Sequence, residues 1–335
     1  MLSQFNNKSI LITGATGFFG SQCLKNILFS SKPKKVVVYS RDELKQFELS
    51  QKFPEDKFPV RYFLGDIRDK ERLVRACSSI NIIIHAAAMK QVPASEYNPT
   101  ECIATNILGA QNLIDASIIN NVDKIIALST DKAANPINLY GATKLCADKL
   151  FVAANNLVGK RKTRFSIVRY GNVLGSRGSI IPHFKKLLST GIKKLPLTDE
   201  RMTRFIITIE QGIEFVFNSL NNMSGGEIFI PKIPSIKIKD LIYAISNNKN
   251  YDLIGIRPGE KLHEVMIPKE ESLNCIEMKD FYIIQPMLSW WDRTKIKPNI
   301  KKNGKKIVKP FEYSSKNNQN FLQTNEIKKL IKNLV

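Results

Sequence analysis

The chain has 335 residues, 43% of them hydrophobic, and carries 51 Lys and Arg against 30 Asp and Glu for a formal net charge of +21; this suits one large or two modest globular domains. Its longest apolar runs, such as Ile82-Ile83-Ile84, are too short to span a bilayer, its five scattered cysteines (Cys23, Cys77, Cys102, Cys146, Cys275) form no CxxC or Cys/His cluster, and His85, His183 and His263 lack metal spacing, which excludes a disulfide frame and a zinc site. The lysines are dispersed and no nucleic-acid-binding motif is present, so the charge suits an anionic small molecule better than nucleic acid.

The first predicted element is a strand at Ser9–Thr13. It leaves no room for a signal peptide ahead of it, and a cytoplasmic protein with no membrane partner is the expectation. Thr13-Gly14-Ala15-Thr16-Gly17-Phe18-Phe19-Gly20 follows it and opens a helix. Gly14 permits the tight turn, Gly17 lets the backbone approach a pyrophosphate, and Gly20 lets the helix pack close to the sheet, with Thr16 and Phe18 in the same turn. The helix N-terminus then faces phosphate charge. The spacing is GxxGxxG, so its place between strand and helix carries the reading.

The second strand, Lys35–Ser40, ends in Tyr39-Ser40-Arg41, with Asp42 and Lys45 nearby. Where an NAD site offers an acid to the ribose, Ser40, Arg41 and Lys45 can hold a 2′-phosphate, which favours NADP. Asp42 leaves dual use open. The third strand, Val60–Leu64, runs into Gly65-Asp66-Ile67-Arg68-Asp69. Asp66, with Ile67, is placed to meet the adenine, and a helix N-cap is an equal reading of Asp66. The fourth strand, Ile80–Ala86, ends His85-Ala86-Ala87-Ala88. Ala86 and Ala87 let the dinucleotide lie close, and His85 reads as structural.

The fifth strand, Lys124–Ser129, leads into Thr130-Asp131-Lys132, and Tyr140-Gly141-Ala142-Thr143-Lys144 follows. A Tyr and a Lys four apart share one helix face, so Lys144 is expected to lower the Tyr140 phenol from about 10. A phenol so tuned can take a proton from a sugar hydroxyl. Asp131 and Lys132 add an acid and a base, and four titratable groups in fourteen residues suggest more than one proton transfer per turnover. A base lysine must be neutral, so Lys132 is expected to be depressed by burial or nearby cations. A plain Lys132–Asp131 salt bridge is the competing reading.

A sixth strand at Phe165–Tyr170 completes the alternation of strands and helical segments. The fold class is therefore α/β, a doubly wound parallel Rossmann-type sheet with a smaller C-terminal substrate-binding lobe. The expected division is residues 1–172 for the dinucleotide domain with a return segment near 203–230, and residues 173–202 and 231–335 for the lobe and a basic C-terminal extension. Trp290 and Trp291, just before that extension, read as packing anchors.

Together these residues resemble the extended short-chain dehydrogenase/reductase family, over nearly the whole chain. Within it the match is to the inverting UDP-N-acetylglucosamine 4,6-dehydratases of pseudaminic acid synthesis, on Tyr39-Ser40-Arg41-Asp42, Met89-Lys90-Gln91-Val92-Pro93, Ser129-Thr130-Asp131-Lys132-Ala133, Arg169-Tyr170-Gly171-Asn172-Val173, Met202-Thr203-Arg204-Phe205 and Arg257-Pro258-Gly259-Glu260-Lys261. Gln91 stands where the family pattern has His.

The resemblance implies that Tyr140, with Lys144, removes the O4 proton while hydride passes from C4 to a tightly bound NADP that each turnover regenerates. Lys132 then takes the C5 proton, Asp131 protonates the leaving C6 hydroxyl, and C5 is reprotonated on the opposite face. Thr130 bonds O4. Lys90, Asn172, Arg204, Arg257 and Glu260 are the implied substrate contacts, with the two arginines on the diphosphate and Glu260 on the uridine ribose. A homo-oligomer, a hexamer among the candidates, is implied as well. A nucleotide-sugar 4-epimerase or a retaining dehydratase is the alternative, and a silent NADP-binding regulator is the rival from another class.

Overall fold

The first six strands pair in parallel because most of them are apolar on both faces. The structure, a computed structural model, describes residues 2–176, 178–248, 250–288, 291, 294 and 296–332. Strands β1 (Ser9–Thr13), β2 (Lys35–Ser40), β3 (Val60–Leu64), β4 (Ile82–His85), β5 (Lys124–Thr130) and β6 (Arg164–Tyr170) lie in the order β3-β2-β1-β4-β5-β6. Only β3, at the edge, is largely uncovered. The chain winds out from β1 to β3 and then back across to β4, so right-handed crossovers place helices on both faces. The order reverses between β1 and β4, where an open sheet leaves a crevice at its strand ends.

The helices have legible starts. Asp42 caps Glu43–Lys52, Asp69 caps Lys70–Ala76, and Asn138 caps Leu139–Leu157, each through a side-chain oxygen accepting a backbone N–H. Helix Phe18–Ser30 packs against Ile209–Asn222, while Lys70–Ala76 packs against Gly109–Ile119, which meets Leu139–Leu157. The helical run Pro99–Ile119 contains a π turn at Ala104–Leu108. Contrary to the expectation from short apolar runs, this helix is long and apolar enough by composition to cross a membrane; half of it is buried in the fold.

Beyond β6 the sheet continues with a parallel strand, Ile228–Pro231, and three antiparallel ones, Phe281–Ile284, Cys275–Glu277 and Lys305–Lys306. Residues expected to build only the lobe therefore extend the main sheet. Their strands are two to four residues long and antiparallel, which hides them from a search for buried parallel runs. The lobe itself rests on a small sheet of Asn172–Val173, Thr203–Ile207 and Ser235–Lys237. It has its own apolar cluster around Ile181, Ile206, Ile236 and Leu241. The basic C-terminal helix Thr324–Lys332 joins that cluster through Ile327 and Ile331. Trp291 donates its indole N–H to the Gly225 carbonyl at 2.7 Å, as an anchor should; Trp290 lies outside the described residues.

Candidate active site

The glycine turn is built for close approach. Gly14 has φ +65°, and a Cβ there would lie 2.8 Å from the Ala87 nitrogen. Gly17 is the N-cap of helix Phe18–Ser30 and no side chain caps it, so the first N–H groups of that helix are left for an anion. Ala86 and Ala87 close the turn from the end of β4. A cleft of about 670 Å³ runs from here along the strand ends, lined by Thr16, Gly17, Phe18, Ser40, Arg41, Lys45 and Ile67 at one end and by Thr130, Lys132, Tyr140, Lys144, Lys90 and Asn172 at the other. Turn, uncapped helix and small residues fit a dinucleotide. His85 is structural, as expected. It bonds Thr13 Oγ1 at 2.7 Å, and burial, helped by the charge of Lys144, pushes its imidazole down to about 3.

At the end of β2, Gln46 Nε2 donates to Ser40 Oγ at 3.0 Å. Arg41 is mostly exposed and lies 3.6 Å from Asp66. Lys45 is paired with Asp42. Asp66 accepts from the Arg68 backbone and guanidinium at 2.9 and 2.7 Å and is not among the cleft-lining residues. Burial would raise its carboxyl, but Arg68 and Arg41 outweigh that and hold it below the usual range. Asp69, not Asp66, is the helix cap.

At the other end of the cleft, β5 stops at Thr130 and a single 3₁₀ turn, Asp131–Ala133, follows. Thr130 Oγ1 donates to Asp131 Oδ1 at 2.9 Å. Gly141 lies so tightly on the Lys132 carbonyl that no side chain fits, which docks the start of helix Leu139–Leu157 on this turn. Lys144 Nζ donates to the Leu128 carbonyl at 2.7 Å. Asn106, in the π turn, accepts from the Met89 N–H and donates to the Met89 carbonyl, both at 2.9 Å, and donates to Thr143 at 3.0 Å. It ties the loop after β4 to helix Leu139–Leu157.

Lys132 does not stand as a depressed base. Its Nζ is 3.0 Å from Asp131 Oδ1, 3.3 Å from Glu264 Oε1 and 3.3 Å from Asn172 Oδ1. Burial acts to lower it, but the two carboxylates outweigh burial and raise it above the ordinary lysine value. Asp131 is fully buried, and burial raises its carboxyl. The expectation for Tyr140 also needs correction. Burial pushes its phenol up to about 12, and the strongest cation acting against this is Lys132 rather than Lys144. Lys144 is itself lowered by burial.

Residues 10–286 match the family model described as polysaccharide biosynthesis protein. The chain belongs to this family. It is 54% identical over 98% of its length, and 98% of the relative's, to the UDP-N-acetylglucosamine 4,6-dehydratase (inverting) of Campylobacter jejuni. Among solved structures, Pen from Bacillus thuringiensis superposes with a TM-score of 0.88 at 38% identity, covering 98% of this chain and 99% of Pen. DesIV of Streptomyces venezuelae, a dTDP-glucose 4,6-dehydratase solved with NAD and TYD bound, shares the fold with a TM-score of 0.68 at 22% identity over 76% of this chain and 86% of its own. The resemblance to extended short-chain dehydrogenase/reductase enzymes is borne out.

In this member of the family, three of the expected substrate residues are engaged with protein. Arg204 is buried and donates to the carbonyls of Thr203, Lys261 and Leu262 at 2.8, 2.9 and 3.2 Å. Its guanidinium is a clamp on the 260–264 segment, which does not fit the expected diphosphate contact. Arg257 Nε pairs with Glu260 at 3.0 Å, and Glu260 also faces Arg204 at 3.5 Å. None of the three is among the cleft-lining residues. Lys90 and Asn172 do line it, and Gln91 reaches across to Gly178.

Sequence reasoning missed Glu264 and the set of buried Asp148 and Arg169 with half-buried Glu271. Arg169 lies 3.4 Å from Asp148 and 3.1 Å from Glu271, and Ser129 donates to Asp148 at 2.9 Å. Glu264 had a signal: a charged residue directly before Val265-Met266-Ile267 and four residues past Glu260.

Proposed function

We propose that this protein is a UDP-N-acetylglucosamine 4,6-dehydratase that inverts C5, giving UDP-2-acetamido-2,6-dideoxy-β-L-arabino-hex-4-ulose. The observation that carries this is the Asp131–Lys132 pair, in hydrogen-bond contact at the strand ends between Tyr140 and Asn172. It stands beside 54% identity to the inverting dehydratase of Campylobacter jejuni. The cofactor is a nicotinamide dinucleotide, and Ser40 and Arg41 favour NADP. When bound, it supplies a temporary hydride store that accepts from C4 and returns to C6.

Tyr140 takes the O4 proton while Thr130 bonds the oxygen, and the cation at Lys132 stabilises the phenolate. The C4 ketone acidifies the C5 hydrogen. Transfer of one proton along the 3.0 Å Lys132–Asp131 hydrogen bond makes a neutral amine and a protonated carboxyl together, with no change in net charge. The amine takes the C5 proton and the carboxyl delivers its own to the C6 hydroxyl, which leaves as water. Reprotonation of C5 from the other face, with a proton drawn from solvent, inverts it, and Tyr140 and Lys132 give up the O4 and C5 protons, so two protons are taken from the sugar and two returned. Lys90, Asn172 and the exposed Arg257 are kept as substrate contacts. Tight cofactor retention, a homo-oligomeric enzyme acting in the cytoplasm, and a first step towards pseudaminic acid and flagellin glycosylation complete the reading.

Incubation with UDP-N-acetylglucosamine in deuterated buffer, read by NMR, should show a 6-deoxy-4-keto sugar labelled and inverted at C5. Lys132→Met should abolish both dehydration and label. Full dehydration by Lys132→Met would refute the assignment, and a C4 epimer without a 6-deoxy centre would make the protein an epimerase.

A further inference from the structure

We propose that Glu264 is a positioning residue for the proton transfers: its carboxylate holds the Lys132 ammonium as a second counterion besides Asp131 and sets the pH range in which the Lys132–Asp131 pair carries the single proton it needs. This rests on the proposed dehydratase reading.

Glu264 is 2% exposed, and its Oε1 lies 3.3 Å from Lys132 Nζ and 3.8 Å from Arg204 Nε. Its other oxygen, Oε2, is buried with no hydrogen-bond partner among the described residues, as is Asp131 Oδ2. Burying a carboxylate so incompletely satisfied is costly, and an apolar residue of similar size would avoid that cost. The surroundings nevertheless fix the Glu264 main chain in place. Ser315 Oγ accepts from the Glu264 N–H at 2.9 Å, the Ser315 N–H donates to the Glu264 carbonyl at 2.7 Å, and Thr203 bonds Ser315 Oγ at 2.7 Å. Lys261 Nζ reaches back to the Ala134 carbonyl at 2.6 Å, joining the same segment to the 3₁₀ turn that carries Lys132.

The charged groups around Lys132 are Asp131 on its own turn, Tyr140 on the neighbouring helix, Arg204 on its strand, and Lys261 and Glu264 on the 260–264 segment. Arg204 is committed to backbone carbonyls and to Glu260, so its charge is fixed. Burial favours a neutral Glu264, but Lys132, Arg204 and Lys261 outweigh it and hold the carboxyl below its usual range. Asp131 is pushed the other way by burial, with Glu264 adding to the rise. The two acids are thus divided: Glu264 stays charged as the counterion, and Asp131 is free to take and give the proton. Removing the Glu264 charge lowers the proton affinity of both members of the pair.

The test is the pH profile of kcat for Glu264→Gln and Glu264→Asp. Both limbs of the Glu264→Gln profile should move to lower pH by about one unit or more, with KM little changed and Glu264→Asp close to wild type. Limbs that stay in place, whatever the rate, overturn the proposal, because a packing role changes rate without moving them. If Glu264→Gln does not fold, Glu264→Met, of similar size, replaces it. Acylation of lysines with an isotope-coded anhydride, read by mass spectrometry against pH, should titrate Lys132 lower in the variant than in the wild type, and an unmoved Lys132 overturns the proposal. That arm needs no turnover, so a wild-type enzyme that fails to dehydrate the sugar refutes the functional reading while the labelling still judges Glu264.

Discussion

In the proposed cofactor site, Arg41 is the residue on which the preference for NADP would turn. It is exposed at the end of β2 and its one recorded ionic contact is the 3.6 Å approach to Asp66. Lys45, by contrast, is neutralised by Asp42. A 2′-phosphate would therefore draw mainly on Arg41, through a charge-assisted bond of roughly 1.5–3 kcal/mol. Arg41→Ala should weaken NADP about tenfold or more and leave NAD nearly unchanged by isothermal titration; equal losses for both would remove Arg41 from the phosphate site. Single residues were legible in the sequence where a backbone rule forced them. Gly14 needs a left-handed turn, and Tyr140 and Lys144 follow from helical spacing. The charge state of Lys132 was not legible, because it depends on Glu264, 132 positions away in the chain, and spacing says nothing of such a partner. The setting of Arg204 was hidden for the same reason: two of its three carbonyl partners, Lys261 and Leu262, lie 57 and 58 positions further along the chain.

Two glycines within helices show how differently an element can depend on one position. In Phe18–Ser30, a Cβ on Gly20 would lie 2.5 Å from the Gly14 carbonyl oxygen and 2.6 Å from the Ala15 Cα. Both are backbone atoms of the phosphate turn and cannot swing aside. Gly20→Ala should cost about 1–3 kcal/mol and lower the melting temperature and dinucleotide affinity together. In Ile209–Asn222, a Cβ on Gly212 would meet nothing closer than the Phe19 ring at 3.9 Å. Gly212→Ala should raise the melting temperature by the helix preference for Ala, about 1 kcal/mol. Two melting curves check both, and a stable Gly20→Ala would mean that the turn is looser than described. At this scale the sequence was informative for β1 to β6, whose bounds came within two residues. It was poor beyond Asn172, where short strands belong to four different sheets and no single period repeats.

For the whole molecule, acid is the expected weakness. His85 is buried and neutral, with its folded-state value near 3 against 6.5 when unfolded. A depressed value means that the unfolded chain binds the proton more readily. The stability is therefore complete above pH 6.5 and is lost as pH falls from there towards 3. At pH 5 the loss should be about 2 kcal/mol from this one group. Urea unfolding at pH 7.5 and 5.0 should show a drop that is smaller by about that amount in His85→Gln. Equal drops would show that His85 is not the group responsible.

The ten-stranded sheet ends on one side at Lys305–Lys306 and on the other at β3, where Arg61 interrupts the apolar residues. An unpaired sheet edge is a template for another strand, and a wide sheet of apolar strands would otherwise invite stacking of partly opened chains. Adjacent ammonium groups at one border repel a like border on a second copy. Lys305 and Lys306 thus guard that border against pairing edge to edge with a second copy while the chain folds.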